Sequence, residues 1–333
     1  MRHFHERSLP EPGEPVGYAA LVDRYDLAVP LPPRLTAIAE RHHPESTREW
    51  QMLTPAHRPG DSLADQLEFA LKWEGVSLGV LSALFDQVDP ERVEAMVADK
   101  PTGKQTRRAW FLYEWLTGGE LGLPDAGKVT AVPVLDPDRH FGLPDPPLSR
   151  RHRVRNNLPG TPDFCPLVRR TPELEARLEQ ALGERAREVV GSTSPRIVRR
   201  AATFLLLADS RASFEIEGET PSRERARRWA EVIEQAGRRE LSVETLVELQ
   251  EWLIDDARFV DLGLREESGW LGERDRITDE PIPEHISARP EDLHELIEGL
   301  LEYEGRVNAS DLDAVVAAAA VAFGFVYIHP FED

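Results

Sequence analysis

The sequence feature that most constrains the fold is an almost purely apolar stretch near the C-terminal end, from Val315 to Ile328. This stretch has no charged residue and is rich in alanine, the strongest helix former. It is shorter than the about 20 residues that a membrane span needs. A helix that is apolar on almost every side is normally buried. We therefore expect a helix over about Leu312–Val326 in the middle of a helical bundle.

A histidine, a proline and a carboxylate follow this stretch directly. Pro330 cannot continue a helix, so we expect the proline to stop the helix that delivers His329. Phe331 is an apolar side chain that can fasten the following loop to the core, and Asp333 lies four positions after the histidine. An imidazole and a carboxylate held in one loop can place a general base beside an oxygen ligand for a metal.

The rest of the chain shows mostly helical patterns. Apolar residues spaced three and four positions apart begin after Asp61, and Thr171 and Ser242 are typical N-caps of later helices. The first sixty residues are rich in proline and suggest irregular connections with short helices. Strand-like sequence is scarce, and the best candidate is a small hairpin near Gly269–Ile277. We predict an all-α fold, a helical bundle with one small β-hairpin.

The length of 333 residues and a change of pattern at residue 171 predict two domains. Residues 1–170 form an N-terminal helical region to which the sequence gives no chemical motif. Residues 171–333 begin with a clear helix start, a threonine followed by proline and glutamate. This second domain contains all the candidate functional residues.

Charge and cysteine content limit the classes of partner. Sixty acidic residues against forty basic ones give a formal charge of -20, which disfavours a nucleic-acid partner. We expect the basic clusters at Lys100–Arg108 and Arg150–Arg155 to form internal salt bridges. Cys165 is the single cysteine, so no internal disulfide exists. The N-terminal residues lack the apolar run of a signal peptide. The sequence predicts a soluble cytoplasmic protein with no membrane association.

The run from His329 to Asp333 resembles the start of the signature of the Fic family, His-Pro-Phe-x-Asp-Gly-Asn-Gly-Arg-x-x-Arg. Members of this family are mostly helical and typically transfer AMP from ATP, with Mg2+, to a Ser, Thr or Tyr hydroxyl of a protein. The resemblance implies that His329 is the general base. It also implies that Phe331 anchors the loop at the cofactor-binding site and that Asp333 is a magnesium ligand.

The sequence ends at Asp333, before the Gly-Asn-Gly turn and both arginines of that signature. In the family, this turn and the start of the next helix cradle the phosphates, as backbone N–H groups and the helix dipole do elsewhere. The arginines neutralise phosphate charge. We therefore expect the chain to be a piece of a longer protein, cut within the signature and inactive by itself.

A second stretch, from Ser213 to Gly218, resembles the inhibitory motif of the same family, Ser/Thr-x-x-x-Glu followed by Gly or Asn. Ser213 and Glu217 are four positions apart and would share one face of a helix. In the family, the glutamate pairs with the second signature arginine and prevents productive ATP binding. The resemblance implies that residues 171–333 hold a Fic domain with its inhibitory helix, and that Glu217 restrains the enzyme.

A third stretch, from Arg265 to Gly272, resembles the family's flap, and the resemblance assigns target docking to Gly269, Trp270, Leu271 and Gly272. The flap is a hairpin whose edge aligns the target protein by strand addition. Three functions stay open from the sequence. The first is a self-restrained protein adenylyltransferase. The second is a regulatory or scaffold module that uses the Fic fold to bind proteins or to form a homo-oligomer. The third is transfer of a different donor group, such as phosphocholine or another nucleotide.

Overall fold

The computed structural model describes residues 3–194, 197, 201, 204–205, 208, 212, 223–234, 240–254 and 261–332. The chain divides into two compact units. The first comprises Met1–Pro162 with Ser310–Leu312, and the second comprises Asp163–Ala309 with Asp313–Asp333. The domain boundary between residues 170 and 171 stays a prediction. Among the described residues, no helix has the length and hydropathy to cross a membrane.

The first unit combines five α-helices of the described region with short strands. The helices are α1 Tyr18–Tyr25, α2 Leu63–Trp73, α3 Leu78–Gln87, α4 Pro90–Asp99 and α5 Lys104–Thr117, with a 3-10 turn at Pro55–His57. The strands are β1 His3–Phe4, β2 Arg7–Ser8, β3 Gly13–Val16, β4 Leu35–Ala39, β5 Trp50–Leu53, β6 Val132–Pro133, β7 Leu148–Ser149 and β8 Val154–Arg155. One sheet has the order β3-β4-β5, with β3 antiparallel and β5 parallel to β4, and another has the order β6-β8-β7.

The three-stranded sheet around β4 corrects the expectation of irregular structure in the first sixty residues. Every residue of β4 is buried, and Leu35 and Ile38 have no exposed surface. A strand buried on both faces reads as a short continuous apolar run without the alternation that marks a half-exposed strand. The prolines on either side of this run favour irregular connections and hide the strand in the sequence.

Arginines of the first unit are held by two different kinds of acceptor. Arg151 pairs with Glu114, with 3.0 Å between Nη2 and Oε1, so the salt-bridge expectation is confirmed there. Arg107 and Arg108 are buried and donate instead to backbone carbonyls, for example from Arg108 Nε to Val134 O over 2.8 Å. The buried guanidinium groups therefore attach loops to α5, because they donate to backbone carbonyls that would otherwise lack a hydrogen-bond donor.

The second unit is mainly helical, which confirms the predicted fold class. The helices in its described part are α6 Pro172–Leu178, α7 Leu182–Ser192, α8 Arg223–Glu234, α9 Val243–Leu253, α10 Leu293–Asn308 and α11 Ala314–Ile328, with a 3-10 turn at Pro290–Asp292. The strands β9 Trp270–Arg274 and β10 Pro281–Ile286 form an antiparallel hairpin. The predicted caps are confirmed: Thr171 Oγ1 accepts from the Leu174 amide, and Ser242 Oγ accepts from the Thr245 amide.

The core of this unit lies where α10 packs against α11. Leu293, Ile297, Leu300 and Ile328 are buried there together. The ring of Phe164 meets the Tyr303 ring edge to face at 5.9 Å. A Cβ atom placed on Gly324 would overlap this Phe164 ring, so the glycine makes room for it.

The burial of α11 differs from the sequence-based expectation. One face is buried, formed by Val316, Ala317, Ala320, Gly324 and Ile328. Val315, Phe323, Val326 and Tyr327 on the other side are between 59% and 69% exposed. The expectation of a helix buried on almost every side is therefore wrong for the described residues. The composition of a helix shows how apolar it is, but it does not show which of its sides pack against other elements.

Candidate active site

His329 lies directly at the C-terminal end of α11. The helix begins at Ala314, because Asp313 Oδ1 accepts hydrogen bonds from the amides of Val315 and Val316 over 2.9 and 3.2 Å. It continues to Ile328, two residues beyond the predicted end. The sequence was right that a helix delivers this histidine.

The backbone of His329 has a left-handed conformation, with φ 50° and ψ 67°. Its amide still donates to the Phe325 carbonyl over 3.0 Å, which closes the last turn of the helix. A left-handed residue is a common way to end a helix, and histidine is among the non-glycine residues enriched in this region. Because Pro330 follows, the chain turns away from the helix axis here.

The two residues after the histidine fix the loop to the body of the unit. His329 is half-buried, and Pro330 is buried. The ring of Phe331 is half-buried and meets the Phe325 ring at 5.9 Å with an interplanar angle of 61°. Such a contact attaches the loop to α11, and it is the kind of contact that an anchoring residue needs. The role of Phe331 at a nucleotide site stays a prediction.

The β9–β10 hairpin lies in the segment predicted to be the flap. Trp270, Leu271 and Gly272 lie in β9, and the Gly269 carbonyl accepts from the Ser287 amide over 3.0 Å. The pairing shifts register between Pro283 and His285. Gly272 has φ 148°, and a Cβ atom there would overlap the Ile282 carbonyl, so a residue without a side chain is required. The predicted hairpin is present, although its second strand begins later than the sequence suggested.

Four consecutive carbonyls at the end of α11 accept hydrogen bonds from the hairpin and the residues beside it. The Ile328 carbonyl accepts from the Ala288 amide over 3.3 Å, and the Pro330 carbonyl accepts from the Arg265 amide over 2.9 Å. His285 Nε2 lies 2.9 Å from the Tyr327 carbonyl. The fourth carbonyl is that of His329, which accepts from Arg265 Nε over 2.7 Å. The structure therefore brings the predicted flap and the predicted base together.

Arg265 makes two of these four contacts. Its side chain is only 5% exposed, and burial lowers its pKa from the ordinary value. Nη1 donates to the Glu267 carbonyl over 2.7 Å, and Nη2 donates to the Ala288 carbonyl and, over 3.4 Å, to the Ile328 carbonyl. Arg265 opens the stretch that resembles the flap, but the resemblance assigns it no role, so only the folded structure identifies these contacts.

Several predicted site residues lie outside the described part of the chain. These are Ser213, Glu217 and Gly218 of the inhibitory motif, and Asp333, the predicted metal ligand. The described residues contain no group of three or more His, Cys, Asp or Glu side chains placed to hold a metal ion. Mg2+ that accompanies a nucleotide usually takes only one or two carboxylates, because the phosphates and water complete its shell. The role of Asp333 as a magnesium ligand stays a prediction.

A cavity of about 400 Å³ lies elsewhere in the second unit, against α8 and α9. Its lining includes Arg228, Glu231 and Trp252. Among the predicted site residues that the structure describes, none belongs to its lining. We therefore place the candidate active site at the end of α11.

Comparison with protein families gives a match for the C-terminal part of the chain. Residues 240–333 match the model of the Fic/DOC family. The matched segment covers α9, the β9–β10 hairpin, α10, α11 and the loop that carries His329. No curated protein and no solved structure matches the chain.

Proposed function

We propose that this chain, whose residues 240–333 match the Fic/DOC family model, is a protein adenylyltransferase that transfers AMP from ATP to a Ser, Thr or Tyr hydroxyl. The observation that carries the proposal is the position of His329. It is half-buried at the end of α11, and hydrogen bonds from His285 of the hairpin and from Arg265 and Ala288 on either side of it hold this end of the helix and its loop. Members of the family often transfer AMP to proteins, and this geometry supports the same reaction here.

In the proposed reaction, the neutral imidazole of His329 removes the proton from the target hydroxyl. The hydroxyl oxygen then attacks the α-phosphorus of ATP and forms a new P–O bond. The bond from that phosphorus to the bridging oxygen breaks, and pyrophosphate leaves with the electron pair. Mg2+ would neutralise phosphate charge, with Asp333 as the proposed ligand. A positioned general base contributes roughly a factor of 10² to 10⁴ to such a rate.

The hairpin would bring the target to this base. In the described residues each of its two strands has one partner, so each strand keeps an edge that can pair with a further strand. An extended target segment would gain main-chain hydrogen bonds along such an edge whatever its sequence. Since Ala288 donates to Ile328 just beyond β10, a segment docked on the hairpin lies near the histidine loop.

Glu217 would restrain the enzyme. This proposal rests on the Ser213-to-Gly218 motif alone, since these residues lie outside the described part. A carboxylate that pairs with a phosphate-binding arginine would compete with the γ-phosphate for the same cation, which is an electrostatic switch. The restraint would end when the carboxylate is removed or displaced.

The position of the label in the donor tests the reaction. The full-length protein is incubated with ATP labelled at the α-phosphate and, separately, at the γ-phosphate. Adenylyl transfer predicts protein-bound label from the α-position alone. Label from the γ-position would instead indicate phosphorylation. Label from a choline-bearing nucleotide, with none from ATP, would support the alternative donor.

A second candidate function is a non-catalytic module that binds other proteins. The observation in its favour is the exposed apolar side of α11, where Phe323 is 67% and Tyr327 is 59% exposed. Large exposed apolar side chains that cluster on one face commonly mark a protein-binding surface. Under this function no donor would label the full-length protein or its partners.

A further inference from the structure

We infer that Arg265 is a positioning residue of the proposed active site. Its guanidinium and its amide hold the backbone on both sides of the His329 imidazole and thereby set the direction of the base. The catalytic consequence rests on the proposed function, whereas the holding of the loop stands by itself.

The contacts of Arg265 fix consecutive peptide groups. Nε donates to the His329 carbonyl over 2.7 Å, and the backbone amide donates to the Pro330 carbonyl over 2.9 Å. Nη2 lies 3.4 Å from the Ile328 carbonyl. The peptide groups before and after His329 are therefore both fixed. The direction of a side chain from its Cα follows from these two groups, so holding them holds the imidazole.

The left-handed conformation of His329 makes this support necessary. A non-glycine residue with φ 50° lies in a sparsely populated region of backbone space. Such conformations persist where contacts with the surrounding structure hold the backbone in place, and they cluster at functional sites. Arg265 supplies three of the contacts that hold the backbone around His329, although it lies 64 residues away in the sequence.

The chemistry of the site favours arginine over lysine. The guanidinium offers five N–H donors in one plane, and here they reach carbonyls of His329, Glu267 and Ala288 in different directions. No ion pair of Arg265 occurs within the described residues. The positive charge lies instead at the C-terminal end of α11, where the helix dipole is negative. A lysine would keep the charge but could not hold several carbonyls at fixed angles.

The test compares Arg265→Gln and Arg265→Lys with Arg289→Gln in the full-length protein. Arg289 is exposed and pairs with Asp292, three positions further along the chain. Arg289→Gln therefore removes a guanidinium group that has no contact with the His329 loop among the described residues. The first measurement is amide hydrogen exchange at His329 and Ala288 by NMR. We expect exchange at least about tenfold faster in Arg265→Gln, an intermediate effect in Arg265→Lys, and no such change in Arg289→Gln.

The second measurement is the split between kcat and KM for ATP in adenylyl transfer. A base moved by about 1 Å is expected to lower kcat roughly 10²-fold, with KM changed little. Unchanged exchange and unchanged kcat in Arg265→Gln would overturn the inference. If Arg265→Gln does not fold, Arg265→Lys alone decides, and wild-type exchange with wild-type kcat would overturn the inference equally.

The two measurements separate failure of the inference from failure of the proposed function. If exchange is faster in Arg265→Gln but the wild-type protein transfers no AMP, the proposed adenylyl transfer is refuted and the holding of the loop by Arg265 stands. Normal transfer by Arg265→Gln at the wild-type kcat would refute the positioning role and leave the proposed function intact.

Discussion

Arg265 Nε donates a hydrogen bond to the His329 carbonyl over 2.7 Å, although 64 positions separate the two residues in the sequence. This contact joins the segment before the flap hairpin to the loop at the end of α11. The neighbouring carbonyls of Tyr327, Ile328 and Pro330 accept hydrogen bonds from His285, Ala288 and the Arg265 amide, respectively. The hairpin that would hold a target and the residue that would deprotonate it therefore form one connected structure.

The close packing of Gly324 in α11 against Phe164 predicts that a substitution by alanine lowers the stability of the protein. In Gly324→Ala the added methyl group would overlap the Phe164 ring. We expect a loss of about 1–3 kcal/mol in the free energy of unfolding, since overpacking a dense core forces side chains or backbone to shift. Urea unfolding of the full chain, followed by tryptophan fluorescence, measures it.

Gly305→Ala is the matched control for that substitution. Gly305 lies within α10, and a Cβ atom there would meet nothing within 4 Å. Alanine should therefore stabilise the helix by about 0.5–1 kcal/mol through its better helix propensity. Equal effects of the two substitutions would contradict the packing described at Gly324.

The first unit should lose stability as the pH falls from 7 to 5. Burial lowers the pKa of His152, which lies 2.9 Å from Glu114. The unfolded chain then binds a proton more readily than the folded one. The contribution is complete above the ordinary histidine pKa of about 6.5 and is lost as the pH falls from there through the lowered pKa of the folded state. Urea unfolding at both pH values measures the loss.

His152→Gln tests the source of this pH dependence, and His43→Gln is the control because His43 is exposed in the same unit. The first substitution should flatten the change between pH 7 and pH 5, and the second should leave it unchanged. Glu114 adds a further loss at lower pH. Although burial alone would raise its pKa, hydrogen bonds from Arg151, Leu121 and Trp110 lower it overall. Its contribution therefore exists above about pH 4.3 and disappears as the pH falls through the lowered value.

Removal of the proposed inhibitory carboxylate should activate the enzyme. We expect Glu217→Gly to raise automodification of the full-length protein with labelled ATP several-fold, since one competitor for the phosphate-binding cation is lost. Glu240→Gln, at an exposed position beyond the motif, is the control and should leave labelling unchanged. Equal labelling of the wild type and Glu217→Gly would remove the inhibitory role from Glu217.

Features of this fold that depend on neighbouring residues can be predicted from the sequence, whereas contacts between distant segments cannot. The caps Thr171 and Ser242, the hairpin and the histidine at the end of α11 depend on residues within a few positions of one another. The buried strand β4 was missed because its apolar run is short and lies among prolines. The exposed side of α11 was missed because the composition of a helix does not reveal its neighbours.

Arg265 shows the same limit within the candidate site. Its acceptors lie on its own segment, just beyond β10 and at the end of α11, so no local pattern relates it to them. The histidine was found because it belongs to a short contiguous motif. A residue that acts on the motif from a distant segment becomes visible only after folding.

The most direct test of the central claim is intact-protein mass spectrometry of the full-length protein after incubation with ATP and Mg2+. The wild type should gain the mass of AMP, and His329→Ala should gain none, because the target hydroxyl then lacks its base. His294→Ala, which removes an exposed histidine of α10, should gain AMP as the wild type does. An AMP adduct on His329→Ala at the wild-type rate would contradict the assignment of His329 as the general base.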